Sequence, residues 1–357
     1  MQIGTTGGRS RGAFTLIELL VVIAIIALLI GILLPSLGAA RGSAQDVACL
    51  ANERSLGQGM AIYTTENREW LPGPNTSGLS LHTDQEAAYV EGSSSPTQDW
   101  DWISPIIGDM FDLPTDRLSK YEKMLNVDLA CPRNNETYAD LYDGPPLRSH
   151  EENPNSIEHP RIMSYTISAM FLLKTTTLAS NAPGENVRFL PGRGGRLDAS
   201  SVASNVVIPE GYGPKLTLVG MPARKSMGFE GGGYFDRNLN AGRGGLDYTT
   251  SANAAGLGGN PQGNFISVGP YLDLEASSMP SGMGGMARVN GEPSQFFKDV
   301  FLRHNNDSMA MVFFDGHAAQ MNHQDIADPS FFVPEGSRVL SADKMVIDTY
   351  EDDDKIF

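Results

Sequence analysis

An α+β fold follows from three features of this 357-residue sequence. An apolar run from Phe14 to Leu34 leads through Pro35 into a proline-free stretch, 36–67, and together they read as one long N-terminal helix. A strand-length apolar run, Met309 to Phe314, meets Asp315-Gly316 and returns as His317 to Met321, which reads as an antiparallel hairpin. Between about 181 and 292 lie "PGRGGRLD", "GFEGGGYFDRNLNAGRGGLDY" and "SGMGGMARVNGEPS", separated by strand-like runs such as "KLTLVGM" and "NFISVGPYLDL". A large loop-rich insertion in an antiparallel β-sheet head, 68–357, accounts for this pattern better than a second globular domain.

The helix divides at Pro35. The 21 residues from Phe14 to Leu34 would rise about 30 Å, one hydrocarbon thickness. That is too long for a secretory signal core, and no clear small-residue cut site follows it. Arg9 and Arg11 before the span place its start on the cytoplasmic side and residues 38–357 outside, with Arg41 weakening the contrast slightly. Glu18 breaks the pattern: a carboxylate in a span costs ~2.5–3.5 kcal/mol and calls for a partner.

Pro35 lacks an N–H and is expected to kink the helix. Beyond it, Leu37, Ala40, Ala44, Val47, Ala48 and Ala51 form a helical stripe of small and medium residues suited to helix packing. Gly38, Gly42, Gly57 and Gly59 lower the propensity and make segments of the helix meltable. "WLPGPN" at 70–75 stops it. In the head, Trp100, Trp102, Ile106 and Ile107 of "DWDWISPIIGDMF" are expected to be core. "RIMSYTISAMFLL" is buried strand or helix, which periodicity does not decide.

A formal net charge of −16 argues against a nucleic-acid surface. Two cysteines, Cys49 and Cys131, allow at most one internal disulfide and exclude a four-cysteine zinc site. "GRGGRL" and "GRGGLD" lack the pattern of a phosphate-binding loop.

"AFTLIELL" resembles the prepilin-type cleavage and methylation signal of type IV pilins and type II secretion pseudopilins. The resemblance implies a leader, 1–13, removed after Ala13, N-methylation of Phe14, and Glu18 as the fifth mature residue. Its partner would be the Phe14 amine of a neighbouring subunit, and Pro35 falls where many pilins carry a kinking proline. Ala13 departs from the usual Gly, which here stands one place earlier as Gly12. "CLANERSLGQGMAIYTTENREWLP" and "DLACPRNNETY" resemble segments of prepilin-like proteins from planctomycete-type bacteria, and outside the cytoplasm Cys49 and Cys131 could then join the helix to the head. Free buried thiols are the other reading.

"FLRHNNDSMAMVFFDGHAAQM" gathers His304, Asp307, Asp315 and His317 in a short span, which could suggest metal ligands or an acid–base pair. A structural hairpin is the plainer reading. Asp315 and Gly316 form a two-residue turn tolerating positive φ, with Phe314 opposite His317 and Phe313 opposite Ala318. The segment resembles the "H-X9-DG" signature of proteins with prepilin-type processing, although ten residues separate His304 from Asp315.

The expected function is therefore structural: a pseudopilin or pilin of a type II secretion or type IV pilus-like filament, without catalysis and without a cofactor. Its partners would be prepilin peptidase, other pilin-like subunits along the N-terminal helix, and the inner membrane, with the head in the periplasm or cell exterior and no nucleic acid. Structural calcium at the acidic run Glu351 to Asp354 stays open, although the run lacks the alternating spacing of an EF-hand loop. The alternative is a membrane-tethered binding protein that uses the signal without polymerising. A tethered hydrolase has no nucleophile motif.

Overall fold

The computed structural model describes residues 16–78, 90–97, 100–126, 129–135, 161, 163–174, 206–231, 265–267, 269–270, 288–289, 292–293, 295–339 and 355–356. The chain divides into two compact units, Met1–Ala44 and Gln45–Phe357. Helix α1, Leu16–Glu66, runs through both and contains Pro35 without ending there. Its 51 residues correspond to about 77 Å. In the first unit its apolar side chains are exposed, from Leu16 through Leu34 to Leu37. The helix is long and apolar enough to cross a membrane.

Backbone geometry stops α1. Asn67 closes the last turn by donating its backbone N–H and its side-chain amide to the Tyr63 carbonyl, both at 2.9 Å. Arg68 and Glu69 then adopt left-handed φ values of 55° and 68°, which an α-helix cannot continue. The stop thus comes just before "WLPGPN".

In the second unit the elements after α1 are α2 (Ile103–Ile107), α3 (Arg117–Asn126), β1 (Tyr165–Ser168), α4 (Ala169–Leu172), β2 (Val206–Val207), β3 (Ser226–Glu230), β4 (Ile266–Ser267), β5 (Arg288–Val289), β6 (Glu292–Pro293), α5 (Gln295–Phe301), β7 (Ser308–Phe313), β8 (Ala318–Asn322), β9 (Arg338–Val339) and β10 (Lys355–Ile356). The main sheet has the order β4-β1-β3-β7-β8. Four of its strands are antiparallel, and β4 joins β1 in parallel at the edge. The fold is α+β, as the sequence predicts. "RIMSYTISAMFLL" is both strand and helix: β1 passes into α4 at Ser168, whose hydroxyl accepts from Met170 N–H at 3.3 Å.

The stretch 181–292 is not only loop. It contains β3, "SMGFE", a fully buried strand between β1 and β7. "KLTLVGM" is strand-like in sequence, yet Leu216–Leu218 forms a 3-10 turn instead. Most of the glycine-dense segments lie outside the described residues.

The sheet is covered on both faces, so β7 reads as an uninterrupted apolar run. One face holds Phe229 and Phe313 against Phe332 and Phe331, at ring distances of 5.0 and 5.9 Å. The other meets the α1 segment from Gln45 onward, where Gly57 and Gly59 permit close approach. A Cβ on Gly57 would lie 2.9 Å from Val312 Cγ2, and one on Gly59 would lie 2.5 Å from the Ile106 carbonyl oxygen. Close packing gives both glycines a structural reason. Trp100, Trp102, Ile106 and Ile107 are core. Asp101 organises that segment, accepting hydrogen bonds from the Thr97, Ile103 and Ser104 N–H groups and from both hydroxyls, at 2.6–3.0 Å.

Candidate functional site

Two sites emerge, one at the N-terminus and one at the heart of the second unit. Gly12, Ala13 and Phe14 lie outside the described residues; Glu18 sits in the first turn of α1, exposed among exposed apolar neighbours. The α1 stripe expected to pack is the uncovered one: Leu37 and Val47 are each 65% exposed, and Ala40, Ala44 and Ala51 are exposed too. The buried face of the α1 segment beyond Gln45 is built instead, with Gly57 and Gly59 alongside, on Asp46, Cys49, Glu53, Leu56, Met60 and Thr64. Their spacing of three or four residues keeps them on one side of a helix.

That face builds a buried cluster. Cys49 and Cys131 are joined as a disulfide with a Cα–Cα distance of 5.1 Å across 82 positions of chain. Beside it lies the ring of His304. Its Nδ1 is 2.6 Å from Asp46 Oδ1 and its Nε2 is 2.7 Å from Glu230 Oε1 on β3. With carboxylates at both nitrogens, the ring satisfies each contact only as the doubly protonated imidazolium. Burial by itself would lower its pKa, but the hydrogen bond and charge of Glu230, followed by those of Asp46, raise it above the usual histidine value.

The carboxylates are held in turn. Asp46 is paired with Arg133, whose Nε donates to it at 2.9 Å, and accepts from the Asn305 amide at 3.1 Å. Glu230 Oε2 accepts from Ala310 N–H of β7 at 2.9 Å. The charges of Asp46 and Glu230 are therefore matched by His304 and Arg133. Glu53 is the exception. It is fully buried, and neither of its carboxylate oxygens has a hydrogen-bond partner among the described residues. Its carboxyl lies near Gly228 and Trp102; a Cβ on Gly228 would meet Glu53 Oε2 at 3.1 Å. Burial, and next the charge of Glu230, push its pKa well above the ordinary 4.5. Protonation removes a charge that this site cannot match.

The residues of the 301–321 segment disperse. His304 pairs with Ser308 through a tight turn in which Asn306 and Asp307 have φ of 61° and 50°. Asp307 forms an ion pair with Lys298 at 2.6 Å. Asp315 and His317 lie beyond the other end of β7, a strand of about 17 Å, so His304 shares no site with them.

The hairpin also differs from expectation by one residue. Phe313 N–H donates to the His317 carbonyl at 2.9 Å and Val312 pairs with Ala318, so the loop is the three residues Phe314, Asp315 and Gly316. Only Gly316 has a positive φ, 87°, which is the turn-plus-bulge geometry of three-residue hairpins. Asp315 contributes through its side chain, accepting from His317 N–H at 3.1 Å and pairing with His317 Nδ1 at 2.5 Å. Partial burial opposes the effect, but those bonds from His317 hold the Asp315 carboxyl below its usual range. The His317 ring stacks on Phe313 at 4.2 Å.

Asp46, Glu53, Arg133 and Glu230 are the members that the sequence did not point to. The available signal was the spacing Asp46–Cys49–Glu53, three and then four residues, on the face opposite the small-residue stripe.

Comparison with known proteins gives one positive result: residues 8–34 match the prokaryotic N-terminal methylation motif. The chain therefore carries a prepilin-type, type IV pilin-like N-terminal signal, and the apolar start of α1, which lies within the matched stretch, fits a membrane-anchored protein. No curated protein and no solved structure matches the chain.

Proposed function

We propose that this chain is a structural prepilin-like subunit, a pseudopilin or pilin. Prepilin peptidase removes 1–13 after Ala13, Phe14 is N-methylated, and the mature helix assembles with other pilin-like subunits into a type II secretion or type IV pilus-like filament. The span would sit in the inner membrane with the head outside. The observation that carries this reading is the methylation motif at 8–34, whose apolar part, Leu16 to Leu34, is an uncovered stretch of α1. The exposed Leu37 and Val47 extend that uncovered surface past Pro35, as helix-to-helix packing requires. The disulfide supports a head in an oxidising compartment. Glu18 would pair with the Phe14 amine of a neighbouring subunit, which offsets the cost of a carboxylate in the span and sets the axial register.

N-terminal mass spectrometry of the mature protein tests the processing. A methylated Phe14 start is expected; an intact Met1, or a start after Ala40, overturns the reading. Assembly is tested by crosslinking copies through residues 36–60. Glu18→Ala should retain cleavage and lose these crosslinks. A processed wild-type protein that stays monomeric under overexpression, without crosslinks, would instead indicate a membrane-tethered binding protein.

A further inference from the structure

We propose that in the reduced chain Cys49, Cys131, His304 and Glu230 form a four-donor site for one divalent ion of the zinc class, and that metal binding and disulfide formation exclude one another. The inference is independent of whether the chain polymerises. One ligand atom from each residue lies within 4.8 Å of all the others, and all four residues are buried. His304 Nε2 is 3.9 Å from Cys131 Sγ and 2.7 Å from Glu230 Oε1. Metal–donor bonds of about 2.0–2.3 Å fit a single ion among such atoms once the sulfurs separate.

The surroundings already suit a metal-bound histidine. A metal-bound histidine usually donates its other ring N–H to a carboxylate, and ligating carboxylates are themselves hydrogen-bonded. Here Asp46 stands 2.6 Å from His304 Nδ1 and is itself held by Arg133 and Asn305, while Glu230 Oε2 receives Ala310 N–H. This second layer is already complete in the disulfide form. Glu53, one turn along α1 from Cys49, adds a buried carboxyl with no hydrogen bond among the described residues. Two thiolates and an imidazole favour zinc-class ions over calcium or magnesium.

The chemistry balances without an unnamed reactant. The newly made chain carries two thiols, and metal binding releases both thiol protons and the Nε2 proton of the imidazolium. Oxidation by a disulfide-exchange partner forms the Cys49–Cys131 bond, reduces the partner to its dithiol with two protons taken from water, and frees the ion, and His304 Nε2 takes up a third proton from water. His304 Nε2 then returns to Glu230.

The test uses the full chain in detergent, air-oxidised or reduced anaerobically with a phosphine, which supplies two electrons and ends as the phosphine oxide. Each form is titrated with Co2+ alone and then with Zn2+. The reduced form should bind one Co2+ per chain with thiolate charge-transfer bands and a tetrahedral spectrum, and Zn2+ should displace it. The oxidised form should show neither band. Asp46→Asn should weaken binding ~10–100-fold while leaving one ion per chain. If reduction unfolds the chain, Zn2+ must restore the circular dichroism of the folded state. A reduced chain without thiolate bands, an octahedral thiolate-free spectrum, equal binding by the oxidised chain, or failure of Zn2+ to refold an unfolded reduced chain would each overturn the proposal.

Discussion

The two stretches of α1 belong to one helix and solve opposite problems. From Leu16 to Leu37 the side chains are mostly apolar and uncovered. From Gln45 to Glu66 one face is buried in the chain's own head, and that face carries ionisable groups: Asp46 and Glu53 with the bonded Cys49 between them. Hydrophobicity and burial have therefore changed places along the helix. An apolar surface stays exposed only where something other than water is meant to cover it. Buried polar groups need partners from distant chain segments, which Asp46 finds in His304 and Arg133 and Glu53 does not find among the described residues.

The largest test exchanges the two environments. Leu56→Ala in the buried segment should cost the head about 2–5 kcal/mol in denaturant unfolding and leave membrane retention unchanged. Ile26→Lys in the exposed segment should cost ~3–4 kcal/mol of insertion, seen as protein lost from the membrane fraction, with the unfolding transition of the head unmoved. If either variant changed the other's observable, the two segments would not be separate in function.

A smaller test applies one substitution to both. Gly59→Ala must push a methyl against the Ile106 carbonyl and should destabilise the head by ~1–3 kcal/mol. Gly38→Ala meets nothing within 4 Å and should strengthen the helix by ~0.8–1.0 kcal/mol. If Gly38→Ala instead abolished crosslinks between copies, the uncovered stripe would be a close-packed assembly face.

A further test concerns pH. The pKa of Glu53 is raised on folding, so the folded state binds the extra proton. Wild-type stability from this group is complete below the ordinary 4.5 and is lost as pH rises towards the raised folded value. Glu53→Gln removes that loss, so its midpoint in denaturant should gain on wild type as pH increases above 4.5. Parallel pH profiles would show that Glu53 is not the buried acid the geometry makes it.

The N-terminal signal and the α+β class were legible in the sequence because both depend on local pattern: a contiguous apolar run, a motif read letter by letter, an alternation of strands and turns. The hairpin was legible except for its register. Asp-Gly serves equally well as the centre of a two-residue turn or as the last two residues of a three-residue loop, and only the Phe313–His317 pairing distinguishes them. The buried cluster was not legible. Asp307 and Asp315 are the carboxylates that the sequence pattern groups with His304, yet neither pairs with it. Its partners are Asp46, 258 positions away, and Glu230, 74 positions away.

By itself, then, the sequence determined a long N-terminal helix with an apolar start, a prepilin-type signal and a mixed head, since composition and short-range periodicity decide those. Tertiary structure alone decided which face of α1 is buried. The Leu37–Ala51 stripe has the composition of a packing face, yet the head takes the opposite one, because there Cys49 meets Cys131 and Asp46 meets His304. A buried charge becomes tolerable only when its counter-charge arrives, and that depends on distant segments meeting in space.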